Sequence, residues 1–121
     1  MVMEFDEIPE FQKDMKQLLK KFRTLREDLE VLKKVLAIDG RTHPQPPFSF
    51  RIPSLGFESP VVNKIKKFAC KSLKGKGANT GFRVIYAYHV DKQLVQFIEI
   101  YFKPDQENED KERILRHFQL G

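Results

Sequence analysis

Residues 82–103 read FRVIYAYHVDKQLVQFIEIYFK, and this stretch decides the fold. Phe82–Val90 and Leu94–Lys103 are rich in β-branched and aromatic residues and flank a turn at Asp91-Lys92, so they read as paired strands. Side chains along a strand alternate between its two faces. In the first strand Phe82, Val84, Tyr86 and Tyr88 share one face, while Arg83, Ile85, Ala87 and His89 point the other way. In the second, Leu94, Gln96, Ile98, Ile100 and Phe102 lie opposite Val95, Phe97, Glu99, Tyr101 and Lys103. One side of the sheet therefore needs an apolar cover, and the polar side chains gather on the other. Tyr86 and Tyr88 fall on the covered side and read as packing residues.

The cover lies upstream. After a short first strand near Val2–Phe5, Pro9 suits the first position of a helix, where its missing N–H would be unbonded anyway. Phe11, Met15, Leu18, Leu19 and Phe22 recur on one helical face. Thr24 followed by Glu27 reads as a capping box for a second helix striped by Leu25, Leu29, Leu32 and Leu36, with Gly40 placed to end it. The pattern lasts too few heptads for a coiled coil and predicts a helical hairpin. Residues 41–60 hold five of the seven prolines, Pro44, Pro46, Pro47, Pro53 and Pro60. Proline denies both helix and ladder hydrogen bonds, so this is a long loop, clamped by Phe48, Phe50 and Phe57, serving either function or packing. Asn63–Leu73 is compatible with a strand. A last helix has Asn108 as its N-cap, apolar Ile114, Leu115 and Phe118, and acids before Arg113, Arg116 and His117, as a helix dipole prefers. The reading is one α+β domain over 1–121, in the order β-α-α-β-β-β-α, with the helical hairpin packed on one face of a small, mainly antiparallel sheet.

Charge points to the partner. The chain has 121 residues and a formal charge of +5, a balance that favours a polyanion. Between Val61 and Val90 stand Lys64, Lys66, Lys67, Lys71, Lys74, Lys76 and Arg83, with no Asp or Glu among them. Phosphate contact is the default use of such a stripe, against the plainer alternative of a solvated lysine-rich hairpin. Lys74-Gly75-Lys76-Gly77 leads into Gly81-Phe82-Arg83, where glycine beside lysine lets backbone and side chain approach a phosphate together. This is no P-loop, because the required helix does not follow. Cys70 is the single cysteine, which excludes an intrachain disulfide, argues against a cysteine-based metal site and fits a reducing compartment. No metal or cofactor is expected. The acidic N-terminus is unlike a signal peptide and no apolar run approaches membrane-spanning length, so the chain is expected in the cytoplasm with no membrane partner.

Asn63-Lys64-Ile65-Lys66, Lys74-Gly75-Lys76-Gly77, Gly81-Phe82-Arg83-Val84-Ile85-Tyr86 and Ile100-Tyr101-Phe102-Lys103, in this order, resemble the C-terminal half of RelE/ParE toxins of toxin–antitoxin systems. Those toxins share a Tyr-Lys-Ile-Lys/Arg strand, a Gly-aromatic-Arg-aliphatic-Ile-Tyr strand and a strand that ends in a basic residue before the last helix. The N-terminal strand and hairpin resemble theirs as well; the proline-rich loop is longer than usual. The resemblance implies a ribosome-dependent mRNA interferase, in which a ribose 2′-OH attacks the adjacent phosphate and the 5′-oxygen leaves. It implies the ribosome, mRNA and a cognate acidic antitoxin as partners. By motif position Lys64 and Lys66 match the paired strand lysines, either of them a base if like charges crowd it. Arg83 and Lys103 match the phosphate-stabilising cations. Lys67, Lys71, Lys74, Lys76 and His89 would contact RNA. The chain departs from the family in one place: no tyrosine follows Lys103, and the only histidine there is His117. Tyr101, His89 and Glu99 are the candidates for that missing catalytic group. Two other functions fit the same features: a ParE-like inhibitor of DNA gyrase, and a non-catalytic basic RNA-binding module with this fold.

Overall fold

The structure is a computed structural model that describes residues 2–38 and 40–118. Its elements are β1 (Glu4–Glu7), α1 (Pro9–Leu19), α2 (Leu25–Leu36), β2 (Ser49–Arg51), β3 (Val61–Ile65), β4 (Phe82–His89), β5 (Leu94–Phe102) and α3 (Lys111–Phe118). They build an α+β fold on a five-stranded sheet of order β1-β5-β4-β3-β2, antiparallel except for the parallel β1·β5 pair.

The helical stripes fold as the periodicity predicts. Pro9 opens α1, and Leu25, Leu29, Leu32 and Leu36 are all buried. The hairpin packs aromatic rings on the sheet, Phe11 against Phe97 at 5.4 Å between centroids and Phe22 edge-on to Phe82 at 4.8 Å. The capping box does not form. Thr24 Oγ1 instead donates to Asp28 Oδ2 at 2.8 Å and accepts the Ser72 N–H at 3.0 Å, while buried Asp28 takes the Lys71 N–H. This tether draws residues 70–72 onto the start of α2, so the strand expected over Asn63–Leu73 stops at Ile65.

Two further corrections concern the sheet. The proline-rich segment is not only a loop: it adds the edge strand β2, and Thr42, Ser49, Ile52 and Leu55 are buried, so part of it packs on the core. The faces of β5 also differ from simple alternation. Ile85 pairs with Glu99 but Tyr86 pairs with Phe97, which leaves Ile98 as the extra residue of a β-bulge. One added residue exchanges the faces of everything on one side of it. Ile100 and Phe102 face the hairpin as expected, but so do Val95 and Phe97, while Leu94 and Gln96 turn to the other side with His89 and Ala87.

The last helix is on the far side from the hairpin. Asp110, not Asn108, caps α3, its Oδ1 accepting the Arg113 N–H at 3.1 Å. The Asp110 N–H binds Glu99 Oε1 at 2.8 Å, and the Phe118 ring lies 6.0 Å from His89, so α3 covers the face expected to be open. That is why five consecutive residues of β4, Val84–Tyr88, are all buried. Arg113 closes the remaining edge of β5 beyond β1, binding the Asp14 carboxylate of α1 at 2.7 and 3.2 Å and the Ile98 carbonyl at 3.1 Å. No helix among the described residues is long and apolar enough to cross a membrane.

Candidate nucleic-acid interface

Among the described residues, one end of that far face is left open. There a groove of about 360 Å³ is lined by Pro47, Phe50, Lys66, Lys67, Asn79, Gly81 and Arg83. Phe50 lies opposite Lys64 on the neighbouring strand, and the Lys66 ammonium sits over its ring, 4.6 Å from the centroid. Lys67 donates to the Asn79 side chain. Arg83 reaches across from β4, its Nη1 donating to the carbonyls of Lys66 and Phe82, each at 3.2 Å. Those bonds occupy one terminal nitrogen and hold the guanidinium plane in place. Gly81 sits at φ +89°, a conformation that disfavours any side chain, and an added Cβ would lie 3.4 Å from Phe102 and Pro104. The chain can thus turn into β4 with Arg83 beside the loop lysines.

Next to the groove lies a second polar group. The Lys64 ammonium donates to Glu109 Oε1 at 2.6 Å, and both side chains are only 17% exposed. Tyr101, opposite Arg83 on β5, is buried, and its hydroxyl has no hydrogen-bond partner among the described residues. Burial first, then the Glu109 and Glu99 charges, push the Tyr101 phenol far above its ordinary range, with Arg83 pulling weakly the other way. Beneath them Glu99 is 2% exposed and accepts from the Gln106 amide and the Asp110 N–H, each at 2.8 Å.

Comparison with protein-family models, curated proteins and solved structures found no match.

Of the residues singled out in the sequence, Lys66, Lys67 and Arg83 come together in the groove, and Lys64 and Tyr101 lie beside it. Lys103 is exposed in the turn just past β5, its N–H bound to the Gly81 carbonyl at 2.8 Å. Lys74 and Lys76 are exposed on the turn that leads back to Asn79. Lys71 faces elsewhere, ion-paired to Glu27 of α2 at 3.6 Å. His89 lies six residues along β4 from Arg83, roughly 20 Å away, and is bonded to Gln96 at 3.1 Å. It belongs to the packing under α3. Glu99, another candidate for the missing group, is spent on anchoring the loop before α3. Lys64 is ion-paired to the Glu109 carboxylate. Sequence reasoning missed Phe50 and Glu109. In the sequence Phe50 stands out only as a loop aromatic, and Glu109 as one acid among several before a helix.

Tyr86 and Tyr88 are packing residues. The Tyr86 hydroxyl donates to the Thr42 carbonyl at 2.9 Å beside buried Asn63, and burial pushes its phenol up to about 12 despite the Asn63 hydrogen bond. Among the described residues no group of three or more His, Cys, Asp or Glu is placed to hold a metal.

Glu99 makes one measurable signature. Burial raises its carboxyl above the ordinary range, more than the Asp110 N–H, Gln106 and Arg113 lower it. Over the pH range between the unfolded and folded values, the folded chain holds the extra proton. Its contribution to stability is therefore complete below about pH 4.3 and is lost as pH rises through the folded value. Glu99→Gln cannot ionise, so its melting temperature should gain on the wild type as pH rises from about 4 to 7. An offset that stays constant over that range would show that burial does not govern this carboxyl.

Proposed function

We propose that this protein is the toxin half of a RelE/ParE-type toxin–antitoxin pair and acts on ribosome-bound mRNA, held in silence by an acidic antitoxin. The observation that carries the reading is the groove. It is lined by Lys66, Lys67 and Arg83 with an aromatic ring and no carboxylate, a combination suited to a sugar–phosphate strand with an unstacked base. Phosphate oxygens are taken by Lys66 and Lys67, and a base rests on the free part of the Phe50 ring. Arg83, anchored through Nη1, offers its remaining donors to the phosphate that changes geometry, where fixed charge is most effective. The coarse order, a strand, a helical hairpin, antiparallel strands and a terminal helix, is compatible with the one the resemblance implies, with β2 as an additional edge strand.

The test is expression in growing cells with primer extension on an abundant mRNA. Growth arrest with codon-phased cuts is expected. A DNA-damage response without cuts would transfer the assignment to gyrase inhibition, and normal growth with soluble protein would remove the toxin reading altogether. Binding gives a second check. If Lys66, Lys67, Arg83 and Lys103 each neutralise one phosphate of single-stranded RNA, log affinity falls against log salt with a slope of about −3. A slope near zero would leave these side chains as a solvated surface.

A further inference from the structure

We infer that Glu109 is the proton acceptor and Lys64 the proton donor of the cleavage step, an acid–base pair supplied jointly by β3 and the loop before α3. The inference rests on the mRNA-cleavage reading and completes it, because the groove itself holds cations and no base. The pair is within one hydrogen bond, 2.6 Å, and is half-sheltered at 17% exposure on each side. It borders the groove: Lys64 on β3 lies opposite the groove residue Phe50, and Lys66 follows just past the end of the strand, its N–H donating to the Phe48 carbonyl at 2.9 Å. Tyr101 lies opposite Arg83 on β5, and the charges of both Arg83 and Glu109 act on its phenol.

The pair is not the sole anchor of α3. The loop before that helix is already held by two hydrogen bonds from Gln106 and Asp110 to Glu99, by the Asp110 cap and by the Arg113–Asp14 bridge. Burial by itself would raise the Glu109 carboxyl, yet the Lys64 hydrogen bond, a backbone hydrogen bond and the Lys64 charge together outweigh it and hold the group below its ordinary range.

The step balances within the pair. The ribose 2′-OH gives its proton to Glu109 as the 2′-oxygen forms a bond to phosphorus. The bond from phosphorus to the 5′-oxygen breaks, and that oxygen takes a proton from the Lys64 ammonium. The products are a 2′,3′-cyclic phosphate and a 5′-hydroxyl. Transfer of the proton from neutral Glu109 to neutral Lys64 across their hydrogen bond then restores the starting ion pair, with no outside donor. As Lys64 gives up its proton it also withdraws the charge that weakens Glu109 as a base, so the two transfers assist each other.

The experiment is single-turnover cleavage of ribosome-bound mRNA by the full chain, measured beside binding to single-stranded RNA and thermal melting. Glu109→Gln should slow cleavage by on the order of 100- to 10,000-fold while RNA affinity stays within about threefold. Glu109→Asp keeps the charge one methylene short and should fold, bind and cleave at least about tenfold more slowly than wild type. Wild-type rates in either folded variant would overturn the role of Glu109 while leaving the groove and the toxin reading intact. A wild-type protein that binds RNA and cuts nothing would instead remove the cleavage reading and this pair with it.

Discussion

Arg83→Ala should cleave ribosome-bound mRNA on the order of 100- to 1000-fold more slowly than the wild type, the size of effect seen when one fixed donor to a developing anion is lost. The sequence alone suggests an exposed strand residue whose removal leaves stability untouched. The structure changes that part. Arg83 is half-buried and its Nη1 ties the Lys66 and Phe82 carbonyls together, so truncation should also cost about 1 kcal/mol, a few degrees of melting temperature. The two losses separate by size, since a loss of 1 kcal/mol from a folded protein does not slow chemistry a hundredfold. Arg83→Lys retains charge but not the planar fork that can hold a carbonyl and a phosphate at once, and should recover only part of the rate. Paired melting and cleavage measurements decide the matter. A folded Arg83→Ala protein with wild-type cleavage would mean that the transition state does not lie in this groove.

The largest effect on stability is expected at Phe82. Its ring is fully buried and meets Phe22 at 4.8 Å, Phe102 at 4.9 Å and Phe68 at 6.0 Å between centroids. These rings come from the turn of the helical hairpin, from β5 and from the segment between β3 and β4, so one side chain joins three parts of the chain that are far apart in sequence. Phe82→Ala removes the shared contact and leaves a cavity whose walls belong to separate elements. The expected cost is about 3–5 kcal/mol, against a total of roughly 5–15 kcal/mol for a domain of this kind. In urea this should lower the unfolding midpoint by roughly 2 M. RNA binding should weaken as well, because Gly81 and Arg83 on either side of Phe82 both line the groove. A midpoint within about 0.5 M of wild type would show that the aromatic cluster repacks without it.

How much of this was written in the sequence depends on the range of the interactions. The hairpin, its leucine stripe, the Pro9 start, the inner face of β4 and the acid-free stretch that supplies Lys66, Lys67 and Arg83 follow from local periodicity and charge. The segment 41–60 did not reveal its strand, because its prolines speak only of what they forbid locally, and β2 exists through pairing with β3. The capping box failed at Thr24 because a better set of partners, Asp28 and Ser72, arrives from residues 4 and 48 positions away.

The sequence by itself determined the class of the fold, the hairpin that covers the sheet and the cations of the groove, since each rests on patterns a few residues long. Only the tertiary structure decided which half of the far face stays open. The bulge at Ile98 depends on how β5 pairs with β4, and a single unpaired residue moves Val95 and Phe97 into the core and Leu94 and Gln96 out of it. The position of α3 depends on partners distant in the chain: the Glu99 carboxylate beneath its start, and the bridge from Arg113 to Asp14, 99 residues away. That docking buries Tyr101 and sets aside His89, two of the residues the sequence offered for catalysis. It also carries Glu109 to Lys64, 45 residues back, a meeting of opposite charges that no spacing along the chain announces.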